Sequence, residues 1–456
     1  SRGKGNLSSE ANPYFLFPQI YNFRYNIFSS EWPVANRVIE LYLQKKSENG
    51  GWERQINGIS NNEKAVLLLE KRTFKELLVD MELRNLQNNI VGQEASRLFA
   101  RAEINMGVEA FRDSLYSLLK RNTFLNIKFE NMLDTLGEIS RTDIRSLLGE
   151  WEKTTPLPFY SLGEPTLTKI TNKGGEEFFV LKMLISNNSD YDGIIHMDIR
   201  KDGWWYQPLE DPRAKTKIEM PAHTSKEFVS VWEDQIRNVE INTMVSGNLP
   251  NIISQDINNV KQERNKIVKD SIYILPESSF DLPGEIIVDN EDSTLFILSA
   301  PPIVGLLPKW LDEVEETPFK YSGISWWRPP LQWTATTNDR YYGKYIRSAF
   351  VIKSGDGSQT ATWKVPVPEV GQYDLYYHVF KDDELRWNNN LQGEYHFKVK
   401  YGSEVEDAYV NLRKANEGWE QLGSYYFDSD TIRVVLTDEC KLRSVTADAV
   451  KIVKRY

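Results

Sequence analysis

Over residues 322–456 the chain alternates apolar and polar positions with a period of two, and that period leaves little choice of fold. Tyr373, Leu375, Tyr377 and Val379 share one face, as do Tyr395, Phe397, Val399 and Tyr401, and then Ile432, Val434 and Leu436. Successive residues of a strand point to opposite faces, so each run buries one side and wets the other. The wet side of the second run is Glu394, His396, Lys398 and Lys400. Several such runs divided by turn residues predict a jelly-roll-like β-sandwich.

The spacing upstream is different. Val108, Phe111, Leu115, Leu118 and Leu119 recur at three and four, as do Met132, Leu133 and Leu136, which predicts packed helices. Ser60 with Glu63, and Thr73 with Glu76, read as capping boxes at helix starts. Residues 1–160 are therefore expected to be an all-α domain with an aromatic lead-in, in which Pro13 and Pro18 prevent a long helix. From 161 to 252 the period is two again, in about seven short runs, the pattern of an immunoglobulin-like sandwich. An antibody-type domain is excluded, because Cys440 is the only cysteine. From Pro250 to Asp270 the chain is polar and Asn-rich, which reads as a linker or a surface-packed connection; the linker is set at 253–275, delivering a last domain at 276–456. Gly355-Asp-Gly357 reads as a hairpin turn. The whole is a multidomain α and β chain.

Charge and composition narrow the function. With 55 Lys and Arg against 65 Asp and Glu the net charge is −10, which argues against nucleic acid as a partner. No apolar run reaches the roughly 18–20 residues of a membrane span. None of His196, His223, His378 and His396 belongs to an H-E-x-x-H pair, and no G-x-S-x-G elbow or phosphate-binding glycine loop occurs. No catalytic residue, metal or cofactor is expected. The acidic run over 312–316 reads as a solvated face.

The most unusual local composition is Ser325-Trp-Trp-Arg-Pro-Pro-Leu-Gln-Trp333, followed by Tyr341 and Tyr342. Two prolines make it irregular, so it is expected to form a loop at the sandwich rim. Trp326, Trp327, Arg328, Trp333, Tyr341 and Tyr342 are then candidates to stack on a sugar ring or anchor a protein. The alternative is that these rings seal the sandwich edge or a domain junction. Asp448 is a further candidate, to bond a ligand hydroxyl, to hold calcium with backbone carbonyls, or to cap amides at the start of a strand.

Thr362-Trp-Lys-Val-Pro-Val-Pro-Glu-Val-Gly-Gln-Tyr373, Trp419 with Leu422-Gly423, and Ala447-Asp-Ala-Val450 resemble the golvesin C-terminal-like domain, also met beside xanthan lyases. That resemblance implies a β-sandwich appended to bacterial surface enzymes, with a role in binding carbohydrate or polymer and no catalytic residues. The helical part is similar to the helices and small sandwich that follow the zinc site in gluzincin aminopeptidases. The matching texture runs through Leu98-Phe-Ala-Arg-Ala-Glu103, Asn122-Thr-Phe, Asp143-Ile144 and Pro156-Leu-Pro-Phe-Tyr160, without the metal-binding motif. Together these imply the non-catalytic C-terminal region of an extracytoplasmic bacterial envelope protein, one option being a parent tethered to a membrane. The expected partner is a glycan, a cell-surface polymer or a protein. The alternatives are a docking scaffold for a catalytic unit outside this chain and a degenerate metallopeptidase.

Overall fold

Helices form where apolar residues recur every three or four positions: Ala35–Leu43, Asn61–Lys71, Phe74–Val79, Gln87–Met106, Val108–Arg121 and Phe129–Ser140, closed by a 3-10 turn at Arg145–Glu152. The computed structural model describes residues 27–44, 51–171, 174–201, 207–257, 259–264, 268–276, 284–299, 319–325, 327–381 and 393–455. The lead-in over 1–26, the acidic run over 312–316 and Trp326 lie outside them. Helix Gln87–Met106 lies at the centre, burying Ile90, Val91, Ala95, Leu98, Phe99 and Ala102 along one stripe. Thr73 and Glu76 form the expected capping box. The carboxylate of Glu63 accepts the backbone amide of Asn251 at 2.9 Å.

That bond ties the helices to the sheets that follow. Ser1–Gly50 with Asn61–Ser278 form one compact unit, and Gly51–Ser60 with Ser279–Tyr456 form another. In the first unit, strands Tyr160–Leu162, Thr166–Thr171, Glu177–Asn187 and Thr224–Trp232 build one sheet, and Gly193–Lys201, Lys215–Met220 and Ile236–Asn242 build most of a second. Leu181, Met183 and Ile185 from one and Ile195, Met197, Val239 and Ile241 from the other share a core. Lys217 pairs with Glu103 of the central helix, which also accepts the Tyr42 hydroxyl at 2.7 Å.

Residues 253–275, expected to be a linker, instead contribute three strands to these sheets among the described residues. Ile252–Asp256 pairs with Ile236–Asn242, Val260–Arg264 runs parallel to Thr166–Thr171, and Ser271–Pro276 pairs with Thr224–Trp232. All three are edge strands. An edge strand gains its hydrogen bonds from one neighbour, so the polar, weakly periodic Val260–Arg264 suffices for one, while Ser271–Pro276 leaves Ile272, Tyr273, Ile274 and Leu275 exposed.

In the second unit, a four-stranded antiparallel sheet runs in the order Glu285–Val288, Val450–Lys454, Gly371–Val379, Gly418–Phe427. A five-stranded sheet runs in the order Phe296–Ser299, Thr360–Pro366, Thr431–Thr437, Glu394–Tyr401, Glu404–Asn411. A three-stranded sheet joins Thr334–Thr337, Ser348–Lys353 and Ser444–Ala447. Tyr373, Leu375, Tyr377, Val379, Tyr395, Phe397, Val399, Ile432, Val434 and Leu436 are all buried in one core, as the alternation predicted. Trp363 is fully buried among them. Gly355 and Gly357 do not close a hairpin, because the flanking strands belong to different sheets. Each is already paired on both edges.

A short helix from far upstream, Gly51–Asn57, belongs to this unit. The Gly58 carbonyl accepts the Thr337 hydroxyl at 2.6 Å in a buried bond. A Cβ on Gly58, where φ is +79°, would lie 2.4 Å from the Ser322 nitrogen, and one on Gly323 would lie 1.9 Å from the Ile56 carbonyl oxygen. Only glycine permits so close an approach of two backbones.

Candidate functional site

The candidate residues separate into two places on the C-terminal unit and one in its core. The first place is the rim. Arg328 donates its amide to the Ser325 carbonyl at 3.0 Å, closing a tight turn that carries Trp327. Pro330 accepts the Lys353 amide at 2.7 Å and Leu331 accepts the Gln359 side-chain amide at 3.3 Å, so the loop is pinned to the three-stranded sheet. Trp327 is 70% exposed, and the guanidinium carbon of Arg443 lies 5.8 Å from its ring centre. Ser354 donates to the Arg443 carbonyl at 3.0 Å, and Lys353 is opposite Ser444 in the register. Arg328, Lys353, Lys441 and Arg443 are all exposed.

Trp333 and Tyr341 do not belong to that rim. Trp333 packs on the sandwich core with its indole nitrogen buried, and Tyr341 is buried with its ring 4.5 Å from that of Phe380. For these two rings, sealing the sandwich edge is the role the packing supports.

The second place surrounds Asp448, which is fully buried. Its carboxylate accepts the Tyr342 amide at 3.1 Å and lies 2.8 Å from Nδ1 of His378, while its carbonyl accepts the Trp363 indole at 3.2 Å. Burial pushes the Asp448 carboxyl above the ordinary carboxylate range, against the opposing pull of His378 and the Tyr342 amide. The partly buried Asp289 is raised well above that range, by lost hydration and then by the charge of Asp448. Loop 338–347 and strands Gly371–Val379 and Val450–Lys454 are thus joined at one carboxylate. Among the described residues, no group of three or more His, Cys, Asp or Glu is placed to hold a metal ion.

A register shift between Leu375 and Tyr376 sets His378 opposite Trp419 on the outer face of the four-stranded sheet. The Tyr342, His378 and Trp419 rings pack within 5.1–5.8 Å of one another. Lys451 sits 4.9 Å over Trp419 and bonds Glu285 at 2.9 Å. This face is occupied by its own contacts.

Sequence reasoning missed Lys353, Lys441 and Arg443 at the rim. The two signals that were present are the basic pair Lys441 and Arg443 just before the strand at Ser444–Ala447, and a lysine closing the strand Ser348–Lys353. Neither shows in sequence that Arg443 comes over Trp327 or that Lys353 is tied to the loop at Pro330.

No helix among the described residues is long and apolar enough to cross a membrane. No curated protein matches the chain. Among solved structures, a Bacteroides uniformis β-glucuronidase is 11% identical with a TM-score of 0.20, covering 68% of this chain, which spans 31% of the length of that enzyme. TmCBM61 in complex with β-1,4-galactotriose is 12% identical with a TM-score of 0.15, covering 38% of this chain and 86% of its own. The Sulfolobus turreted icosahedral virus structure is 9% identical with a TM-score of 0.14, covering 67% of this chain and 96% of its own. Likenesses at such scores carry no argument, and none of these matches supports the aminopeptidase resemblance of the helical part. What does match is a family: residues 329–454, holding most of the C-terminal unit and the surroundings of Asp448 but neither Trp327 nor Arg328, match the Golvesin C-terminal domain.

Proposed function

We propose that this chain is a non-catalytic region of a bacterial envelope protein, working outside the cytoplasm, whose C-terminal unit binds a glycan or cell-surface polymer. In this reading the middle pair of sheets is an immunoglobulin-like spacer and the C-terminal unit a jelly-roll-like head. The observation that carries it is Trp327, 70% exposed on a loop held by the Ser322 amide on the Ala335 carbonyl and by the Pro330 and Leu331 carbonyls, which accept the Lys353 amide and the Gln359 side chain. An indole seals an edge only by being covered, whereas a rigid, wet indole is a stacking platform. The Golvesin C-terminal domain match over 329–454 supports the same head, and the sequence offers no catalytic motif for a different activity.

The test is a glycan-array screen of the intact chain beside its Trp327→Ala variant, with thermal unfolding of both. Binding by the parent and its loss in an equally stable variant is the expected result. An intact chain that binds no glycan would replace this reading with the docking scaffold.

A further inference from the structure

Resting on that reading, the geometry points to an anionic polysaccharide, one carrying carboxylate or sulfate groups, as the ligand class at Trp327. The three segments that meet at the rim, residues 327–333, 351–354 and 440–444, contribute Arg328, Lys353, Lys441 and Arg443 and not one acidic residue. They do so in a chain where acidic residues outnumber basic ones by 65 to 55. The backbone bonds from Lys353 to Pro330 and from Ser354 to Arg443 bring the three segments together.

The chemistry of these groups is one-sided. Guanidinium and ammonium groups only donate hydrogen bonds. A neutral sugar presents hydroxyls that both donate and accept, so a site built for one needs acceptors such as Asp, Glu or Asn beside the aromatic face. Around Trp327 the Gln332 amide is the neutral exposed side chain that can also accept, while the exposed charged side chains of the three segments are donors throughout. Their match is a group that only accepts, and arginine forks fit the paired oxygens of a carboxylate or sulfate.

The neighbouring acids do not reverse this. Asp438 is buried and accepts the Gln359 amide at 3.3 Å. Glu439 lies 3.3 Å from the His396 ring, and Asp356 is engaged with the Ser358 amide at 3.1 Å. Trp327 would stack on the pyranose ring while the cations take its charged substituent.

The experiment measures binding of the intact chain to a polyuronate, a sulfated glucan, an uncharged glucan and double-stranded DNA. Each is run at roughly 50 and 200 mM salt, with Arg328→Gln/Arg443→Gln and Trp327→Ala variants of verified thermal stability. The expected result is binding to the polyuronate or the sulfated glucan that weakens with salt, falls roughly tenfold in the double arginine variant, and is lost in Trp327→Ala. Whichever of the two polymers binds more tightly identifies the anion. Tight, salt-insensitive binding to the uncharged glucan would overturn the anionic assignment and leave the glycan reading standing. Binding to DNA as strong as to either polymer would also overturn it, reducing the rim to unspecific charge. Binding to none of the four would overturn both.

Discussion

Trp327 and Trp363 belong to the same unit and meet opposite fates. Trp363 is fully buried, ringed by Phe296 and Tyr377, its indole N–H held by the Asp448 carbonyl. Trp327 stands in solvent beside exposed cations. The buried knot answers its own polar groups internally, so it has little left to offer a ligand; its yield is stability. The rim leaves most of the Trp327 indole in solvent. Aromatic density alone therefore does not mark a binding surface. In the function proposed above, exposure on a pinned loop, with basic groups gathered around it, is what does.

If that division is right, substitutions should separate stability from binding. The largest effect is expected for Trp363→Ala, which opens a cavity and orphans a carbonyl; denaturant unfolding followed by fluorescence should show a loss of about 3–5 kcal/mol. Asp448→Ala follows, because it strips the Tyr342 amide and His378 of their shared acceptor, with a loss of about 3 kcal/mol in the same assay. A near-silent Asp448→Ala would move that residue out of the knot and back among ligand contacts. Asp289→Asn sharpens the comparison through pH. The folded state holds the Asp289 carboxyl raised well above 3.8, so its ionisation costs stability as pH climbs from about that value through the raised one. The asparagine variant should match the parent near pH 4 and exceed it at pH 7, by roughly 2–4 °C in Tm. A difference that is the same at both pH values would remove the assignment. Smallest of all, Trp327→Ala should shift stability by less than about 0.5 kcal/mol, and a larger loss would show that the rim is structural after all.

The core strands were legible because burying one face imposes a period of two, and each of Tyr373, Leu375, Tyr377 and Val379 obeys it. The edge strands were not: Val260–Arg264 takes its order from a neighbour's backbone and carries almost no pattern of its own, and the apolar run Ile272-Tyr-Ile-Leu275 lacks the alternation that marked the core strands. At the candidate site the loop with its tryptophans was visible, and so was the capping role open to Asp448, which binds the Tyr342 amide. Which tryptophan stays wet was not visible, because Trp327 and Trp333 differ only in how the loop between them is pinned. The cations were hidden for a different reason: Arg443 comes over Trp327, and Lys353 is tied to the same loop at Pro330, through pairings across the chain that a single sequence does not state.

The helix Gly51–Asn57, with its Gly58 carbonyl inside the C-terminal unit, has a bearing on how that unit is assembled. The ribosome makes this peptide first and the remainder of its unit only after the whole of Asn61–Ser278 has emerged. It behaves as a tethered cofactor made of protein, held near its seat at an effective concentration set by the folded chain between them. A fragment starting at Ser279 should thus come out incomplete and less stable, and a synthetic peptide spanning residues 51–60, added in trans, should restore part of what was lost.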